Sequence, residues 1–166
     1  PYDDFGYCEG DQCDVVFNAD INEFMGTKTP QLLIKSVRLS QKDENENALS
    51  KEHFNLLLNG EKYEGFEKDI PDLSEFRNIF RYIRREASHE AKCISFISMK
   101  RDLEKEFDIS VSVCKLRIIL EVLSEQELIS LKYREGENAA DIKMLPASGK
   151  INIDDSPLLR TIRSVH

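Results

Sequence analysis

The chain has 166 residues, 40% of them hydrophobic and 33% charged, a composition that suits one ordinary globular domain or two small ones. A net charge of -8 argues against a domain that grips nucleic acid through its bulk charge, because neutralising phosphates supplies most non-specific affinity. No apolar run approaches the roughly 18 residues of a membrane span, and no basic-then-apolar leader is visible.

The sequence opens on Pro1 rather than Met, which reads as a piece excised from a longer chain. Its four cysteines, Cys8, Cys13, Cys93 and Cys114, form no CxxC pair and no Cys/His set with zinc-like spacing. Cys8 and Cys13 could clip a turn or hold a metal. The simpler reading is reduced cytosolic thiols, with Cys93 and Cys114 as small buried hydrophobes.

Residues 13–20 mix β-branched and aromatic side chains as a strand does, and residues 31–39 alternate polar and apolar over their second half. Between them, Asn22 to Pro30 carries the Gly and Pro of a connecting turn, with Gly26 expected at positive φ. The pair predicts an antiparallel hairpin, which is marginal in water unless it packs on a sheet or a neighbour. The polar run Gln41 to Asn47 is the expected domain boundary, and Leu49 to Leu58 reads as a short helix. Residues 61 to 70 read as irregular.

Beyond Pro71, Asp72 or Ser74 can cap a helix whose Phe76, Ile79, Phe80 and Ile83 fall at the spacing of one buried face. Cys93 to Ile97 is strand-like, and Ser98 is placed to cap a helix over 99–107. A third helix over about 112–126 carries Val113, Leu116, Leu120 and Leu123 as a stripe, with Ile119 beside it. Strands at 128–133 and 141–145 then flank a wing-like loop. The order helix, strand, helix, helix, hairpin is that of a winged helix-turn-helix.

Two stretches resemble a known family. Asp14-Val-Val-Phe17, Asn22-Glu-Phe-Met-Gly26, Gln31-Leu32 and Val37-Arg38 resemble the end of the oligonucleotide-binding (OB) domain of RecJ family exonucleases. Leu123-Ser-Glu-Gln-Glu-Leu-Ile129 and Gly149-Lys-Ile-Asn-Ile-Asp-Asp-Ser156 resemble the tail domain of longer members. The resemblance implies an α+β chain: a β-hairpin from the end of an OB-type barrel over 1–45, a linker with a short helix over 46–70, and a winged-helix-like domain over 71–166. It implies a cytoplasmic protein of DNA repair and recombination. Its partners would be the rest of the parent exonuclease, single-stranded DNA weakly or indirectly, and single-strand-binding protein, with no membrane partner.

The family cuts DNA with Asp- and His-rich motifs that hold Mn or Mg ions. This chain has only His53, His89 and His166, none beside another His, and Asp154-Asp155 reads as a solvated turn. The expectation is therefore no catalytic residue, no metal site and no cofactor in this piece, the divalent metal belonging to the parent core.

An OB fold holds single strands with a positive groove and stacking aromatics, which points to Phe24, Lys28, Lys35 and Arg38. A plainer reading has Phe24 packed inside the barrel and Asn22 and Gly26 building the turn. On the third helix, Ser112, Lys115, Arg117, Glu121 and Glu125 read as non-core positions, a poor surface for a major groove. Arg77, Arg81, Arg84 and Arg85 on the first helix of the tail domain form the most basic cluster. Beside exposed apolar surface they could hold an acidic, aromatic-ended peptide such as the tail of single-strand-binding protein. A solvated face paired with Glu75 and Glu86 is the plainer reading. Two other functional classes remain open, a free-standing winged-helix binding or regulatory protein and an enzyme in its own right. The first wants a basic third helix, and the second wants a nucleophile-base pair or phosphate loop.

Overall fold

In the computed structural model, residues 8–88, 90–146 and 152–165 are described. His89, His166 and the stretch 149–151 of the tail motif lie outside them. The fold is α+β, with a two-stranded antiparallel sheet, a three-stranded antiparallel sheet and helices. No barrel closes among the described residues.

Strands β1 (Cys13–Phe24) and β2 (Thr27–Leu39) form the expected hairpin, longer than the sequence suggested. The turn is only Met25-Gly26, both at positive φ (51° and 78°), the signature of a two-residue type I′ connection. Asn22 to Phe24 and Thr27 to Pro30 are therefore strand. Polar and threonine side chains pair there as Asn22/Thr29 and Glu23/Lys28, which hid the strand from a hydrophobicity reading.

One irregularity decides how the hairpin is used. Val16 pairs with Ser36 but Phe17 pairs with Ile34, so Lys35 is an extra residue, a β-bulge. Cross-strand partners share a face. With the bulge in place, Val15/Val37, Phe17/Ile34, Ala19/Leu32 and Ile21/Pro30 line one side. The other side carries Asp14/Arg38, Asn18/Leu33, Asp20/Gln31 and Asn22/Thr29. Without it, Lys35 and Gln31 would join the apolar row, and Ile34 and Leu32 would leave it.

Helix α1 (Gln41–Leu58) starts two turns before the expected position, so the polar run 41–47 is helix rather than linker. Ser40 caps it by accepting from the Asp43 amide. Its polar residues are matched on the next layer, with Arg101 gripping the buried Asp43 at 2.7 and 2.6 Å and Lys100 donating to Glu46 at 2.6 Å. A 3₁₀ turn spans Phe66–Asp69 in the segment expected to be irregular.

Helix α2 (Leu73–Glu86) opens on a full capping box, with Asp72 accepting from the Glu75 amide and Glu75 accepting from the Asp72 amide. Strand β3 (Lys92–Ser95) runs straight into α3 (Phe96–Phe107), which is capped by Ser95 rather than Ser98. Helix α4 (Val113–Glu125) follows, capped by Ser112. Then come β4 (Ile129–Tyr133), β5 (Ala139–Met144) and a closing helix α5 (Pro157–Arg163), which the sequence reading did not foresee. The sheet order is β3-β5-β4.

The core gathers around α4. The expected stripe is present, but Cys114, Arg117, Ile118, Ile119 and Val122 are buried as well. A helix buried on every side needs partners on every side, and α1, α3, α5 and β4 all pack against it.

Among the described residues, the hairpin's clearest contacts with this body are at its base. Leu39 is buried there, the Ser40 amide donates to the Gln12 carbonyl at 2.9 Å, and Cys8 is disulfide-bonded to Cys93 with Cα atoms 5.9 Å apart. The bond corrects the expectation of four free thiols. Spacing along the chain could not show it, because the two cysteines are 85 positions apart. Gly10 lies so close to α3 that an added Cβ would sit 2.4 Å from the Ser98 hydroxyl. No helix among the described residues is long and apolar enough to cross a membrane.

Candidate functional site

Two surfaces and two internal clusters carry the chemistry a function could use. The first surface is the hairpin. Its apolar row is bare: Phe17 is 47%, Ile21 65%, Leu32 62% and Ile34 63% exposed. The tip residues Phe24 and Met25 are 69% and 89% exposed. Phe24 therefore does not pack inside anything among the described residues.

The four expected nucleic-acid contacts do not converge. Phe24 sits at the tip on the polar side, Lys28 lies on the apolar side, Lys35 is the bulge, and Arg38 is at the base. At about 3.3 Å per residue, Lys28 and Arg38 are on the order of 30 Å apart. Lys28 lies 3.6 Å from Glu23 and Arg38 lies 3.3 Å from Asp14, so two of the three cations already have anionic neighbours.

The second surface is on α2. Arg77, Arg81 and Arg84 are exposed and form no ion pair among the described residues. At i, i+4 and i+7 they make one stripe. Beside it Leu73, Phe76, Phe80, Leu123 and Leu128 line a groove of about 280 Å³ that also includes Arg77. Arg85 belongs elsewhere. It donates to Glu86 at 2.7 Å and Glu106 at 2.5 Å, and lies over the Tyr82 ring at 5.3 Å. Glu75, the other acid expected to neutralise the stripe, instead accepts from Lys115 at 2.7 Å. Glu86 is held below the ordinary carboxylate range by Lys92, with Arg85 assisting.

Inside, Asp69 collects the Tyr63 and Ser112 hydroxyls, with His53 Nδ1 at 3.7 Å. A His, an Asp, a Ser and a nearby Cys114 suggest nucleophilic catalysis, but their order is wrong for it. The Ser112 hydroxyl is spent on Asp69 rather than offered to His53. The Cys114 thiol is pushed up to about 12, chiefly by burial, and stays protonated. The cluster instead ties the 3₁₀ turn to the start of α4.

Arg117 is the residue that sequence reasoning misplaced. Read as a non-core position, it is 3% exposed. Its Nε donates to Ser50 at 2.8 Å, its Nη2 donates to the Glu137 carbonyl, and its guanidinium lies 4.7 Å from the Phe96 ring centroid. No carboxylate reaches it within ion-pair distance among the described residues, and burial lowers its pKa. An arginine flanked in sequence by leucine and isoleucine was the available signal.

With Arg117 buried, Ser112 capping and Lys115 paired, α4 offers no row of free cations to a DNA groove. Asp154 and Asp155 lie in a 3₁₀ turn and pair with Arg163 and Arg160 at 2.7 and 3.0 Å. No group of three or more His, Cys, Asp or Glu placed to hold a metal ion occurs among the described residues. Compared with known proteins, the chain matches no family model, no curated protein and no solved structure.

Proposed function

We propose that the chain is a non-catalytic accessory region of a RecJ-like single-stranded-DNA exonuclease. The observation that carries this reading is the hairpin: a long two-stranded ribbon with one continuous apolar face left bare. Such a ribbon cannot earn its place alone in water, but it suits the closing strands of an OB-type barrel whose other strands come from elsewhere in the protein. The body supports the second half of the reading, because helix, strand, helix, helix and hairpin follow one another in winged-helix order. In this role β1 and β2 complete the barrel that guides the single strand, and the body carries a docking surface. The divalent metal, Mn or Mg, would belong to the catalytic core. The Cys8–Cys93 disulfide weighs against a cytoplasmic setting, where such bonds are rare.

Partner recruitment has its own support in Arg77, Arg81 and Arg84, which form no ion pair among the described residues and lie beside an apolar groove. That pairing suits a peptide with acidic residues and an aromatic end, as in the tail of single-strand-binding protein. The alternative, a free-standing regulator that reads DNA through its third helix, loses ground to the enclosure of α4.

Fluorescence anisotropy of the chain against a labelled single-stranded oligonucleotide and a labelled acidic tail peptide tests both halves. The recruitment role predicts peptide binding that disappears in the Arg81→Ala/Arg84→Ala variant. Salt-sensitive oligonucleotide binding lost on Lys28→Ala/Lys35→Ala would place the hairpin on the DNA path. Binding to neither ligand would remove both proposed contacts.

A further inference from the structure

We infer that β1, and not β2, is the seam at which this hairpin receives a further strand, and that its occupant is an extended strand of a β-sheet partner with apolar side chains at alternate positions. The inference rests on hairpin geometry and stands whether or not the partner is the barrel of an exonuclease.

The two outer edges of the hairpin are chemically unequal. In a two-residue hairpin the residues flanking the turn, Phe24 and Thr27, form a hydrogen-bonded pair, and bonded and non-bonded pairs then alternate. Glu23/Lys28, Ile21/Pro30, Ala19/Leu32 and Phe17/Ile34 are thus the non-bonded pairs. Their main-chain groups point away from the sister strand. One hydrogen bond confirms the phase: the Ile21 amide, free of the ladder, is met by its neighbour's Asp20 Oδ1 at 2.8 Å.

Along β1 the outward sites Phe17, Ala19, Ile21 and Glu23 run without a break. Along β2 the matching row contains Pro30, which has no N–H to offer, and is displaced at Lys35 by the bulge. Proline and bulges are the devices that blunt a sheet edge against pairing. β2 carries both and β1 carries neither.

Three of these outward sites on β1, Phe17, Ala19 and Ile21, also build the bare apolar row. A strand added there extends that row only if its own apolar residues alternate in step. Charge does not select it, since Glu23/Lys28 and Asp14/Arg38 neutralise each other within the hairpin.

A second copy of the chain does not fit. A two-fold contact through β1 edges would satisfy main-chain groups but leave both apolar faces in water. Face-to-face packing would cover the faces and leave both edges open. A ribbon about 40 Å long and 10 Å wide offers roughly 400 Å², about half of what each side of a stable interface usually buries. An edge strand of another sheet supplies the missing ladder and, with its neighbours, the cover.

The test is an amide-resolved NMR titration of the intact chain with a soluble synthetic peptide of alternating valine and threonine, matched to the 12 residues of β1. The expected result is shifts at the amides of Phe17, Ala19 and Ile21, with those of Leu32 and Ile34 unmoved. Ala19→Pro removes an outward N–H at a non-bonded site, where the hairpin already tolerates Pro30. It is expected to weaken binding at least about tenfold with the hairpin's cross-strand contacts preserved, whereas Leu32→Pro leaves binding unchanged. Shifts confined to β2, loss of binding in Leu32→Pro alone, or no binding at millimolar peptide would overturn the assignment. Concentration-dependent dimers in light scattering, abolished by Ala19→Pro, would overturn the choice of occupant. The DNA and tail-peptide titrations above are separate readouts, so each reading can fail alone.

Discussion

The hairpin and the body obey the same local rules and end in opposite states. β1 and β2 have a tight turn, matched pairs and a clean two-sided pattern. α4 has a good cap and a run of branched apolar residues. Yet Ile118, Ile119 and Leu120 are fully buried, while Ile21, Leu32 and Ile34 are more than half exposed. The difference lies in what surrounds each element. Local pattern decides what a segment becomes, and burial decides how much that is worth.

The largest test of this contrast is at the junction. Cys8→Ala with Cys93→Ala opens a cross-link spanning 85 positions, and denaturant unfolding should register a loss of about 2–4 kcal/mol. Leu120→Ala in the body is expected to cost about 3 kcal/mol in the same measurement, because it removes a fully buried side chain from the core and leaves a cavity. Arg117→Met, which fills most of the volume but strands Ser50 and the Glu137 carbonyl, should cost about 2 kcal/mol.

A smaller effect is set by acid. Because Lys92 and Arg85 hold Glu86 below its ordinary value of 4.5, the folded state binds its proton less readily than the unfolded chain. That stabilisation is complete above the ordinary value and is lost as the pH falls through the lowered one. Glu86→Gln should flatten the acid limb of a stability-pH curve and leave the neutral region nearly level. Smallest of all, Ile21→Ser should move the unfolding midpoint by less than about 0.5 kcal/mol, although the same change in a core strand would be severe. A large loss there would mean that the apolar row is covered in solution, and would break the comparison.

How far the sequence revealed this architecture follows the same division. A cap at Asp72 or Ser74, the α2 face of Phe76, Ile79, Phe80 and Ile83 (of which Phe80 is only half-buried), and the hairpin around Gly26 were readable because their signals lie within a few residues. The start of α1 was not. Gln41 to Asn47 looks like a linker until Arg101 and Lys100, more than fifty residues away, supply its partners. α5 is only 7 residues long, too short for a period to declare itself, and without it the full burial of α4 could not be foreseen. Alternation was legible only in the second half of residues 31–39, because Leu33, opposite Asn18 on the polar side, interrupts it in the first. Of the candidate site, the α2 stripe was visible as arginines at helical spacing, but the departure of Arg85 depends on Glu106 from another helix. The bare apolar row needed the register of two strands, which composition does not encode.

Arg117 has one more consequence, for the rate at which parts of the molecule open. The segment between β4 and β5 has the composition of a loop that would exchange its amide hydrogens quickly. The Glu137 carbonyl, however, is held by a guanidinium that also holds Ser50 on α1. Lifting the loop would strand a cation between two aromatic rings with one of its anchors gone. The loop, α1 and α4 are therefore expected to open together, and in hydrogen exchange the loop's slowest-exchanging amides should report the free energy of global unfolding rather than of local fraying.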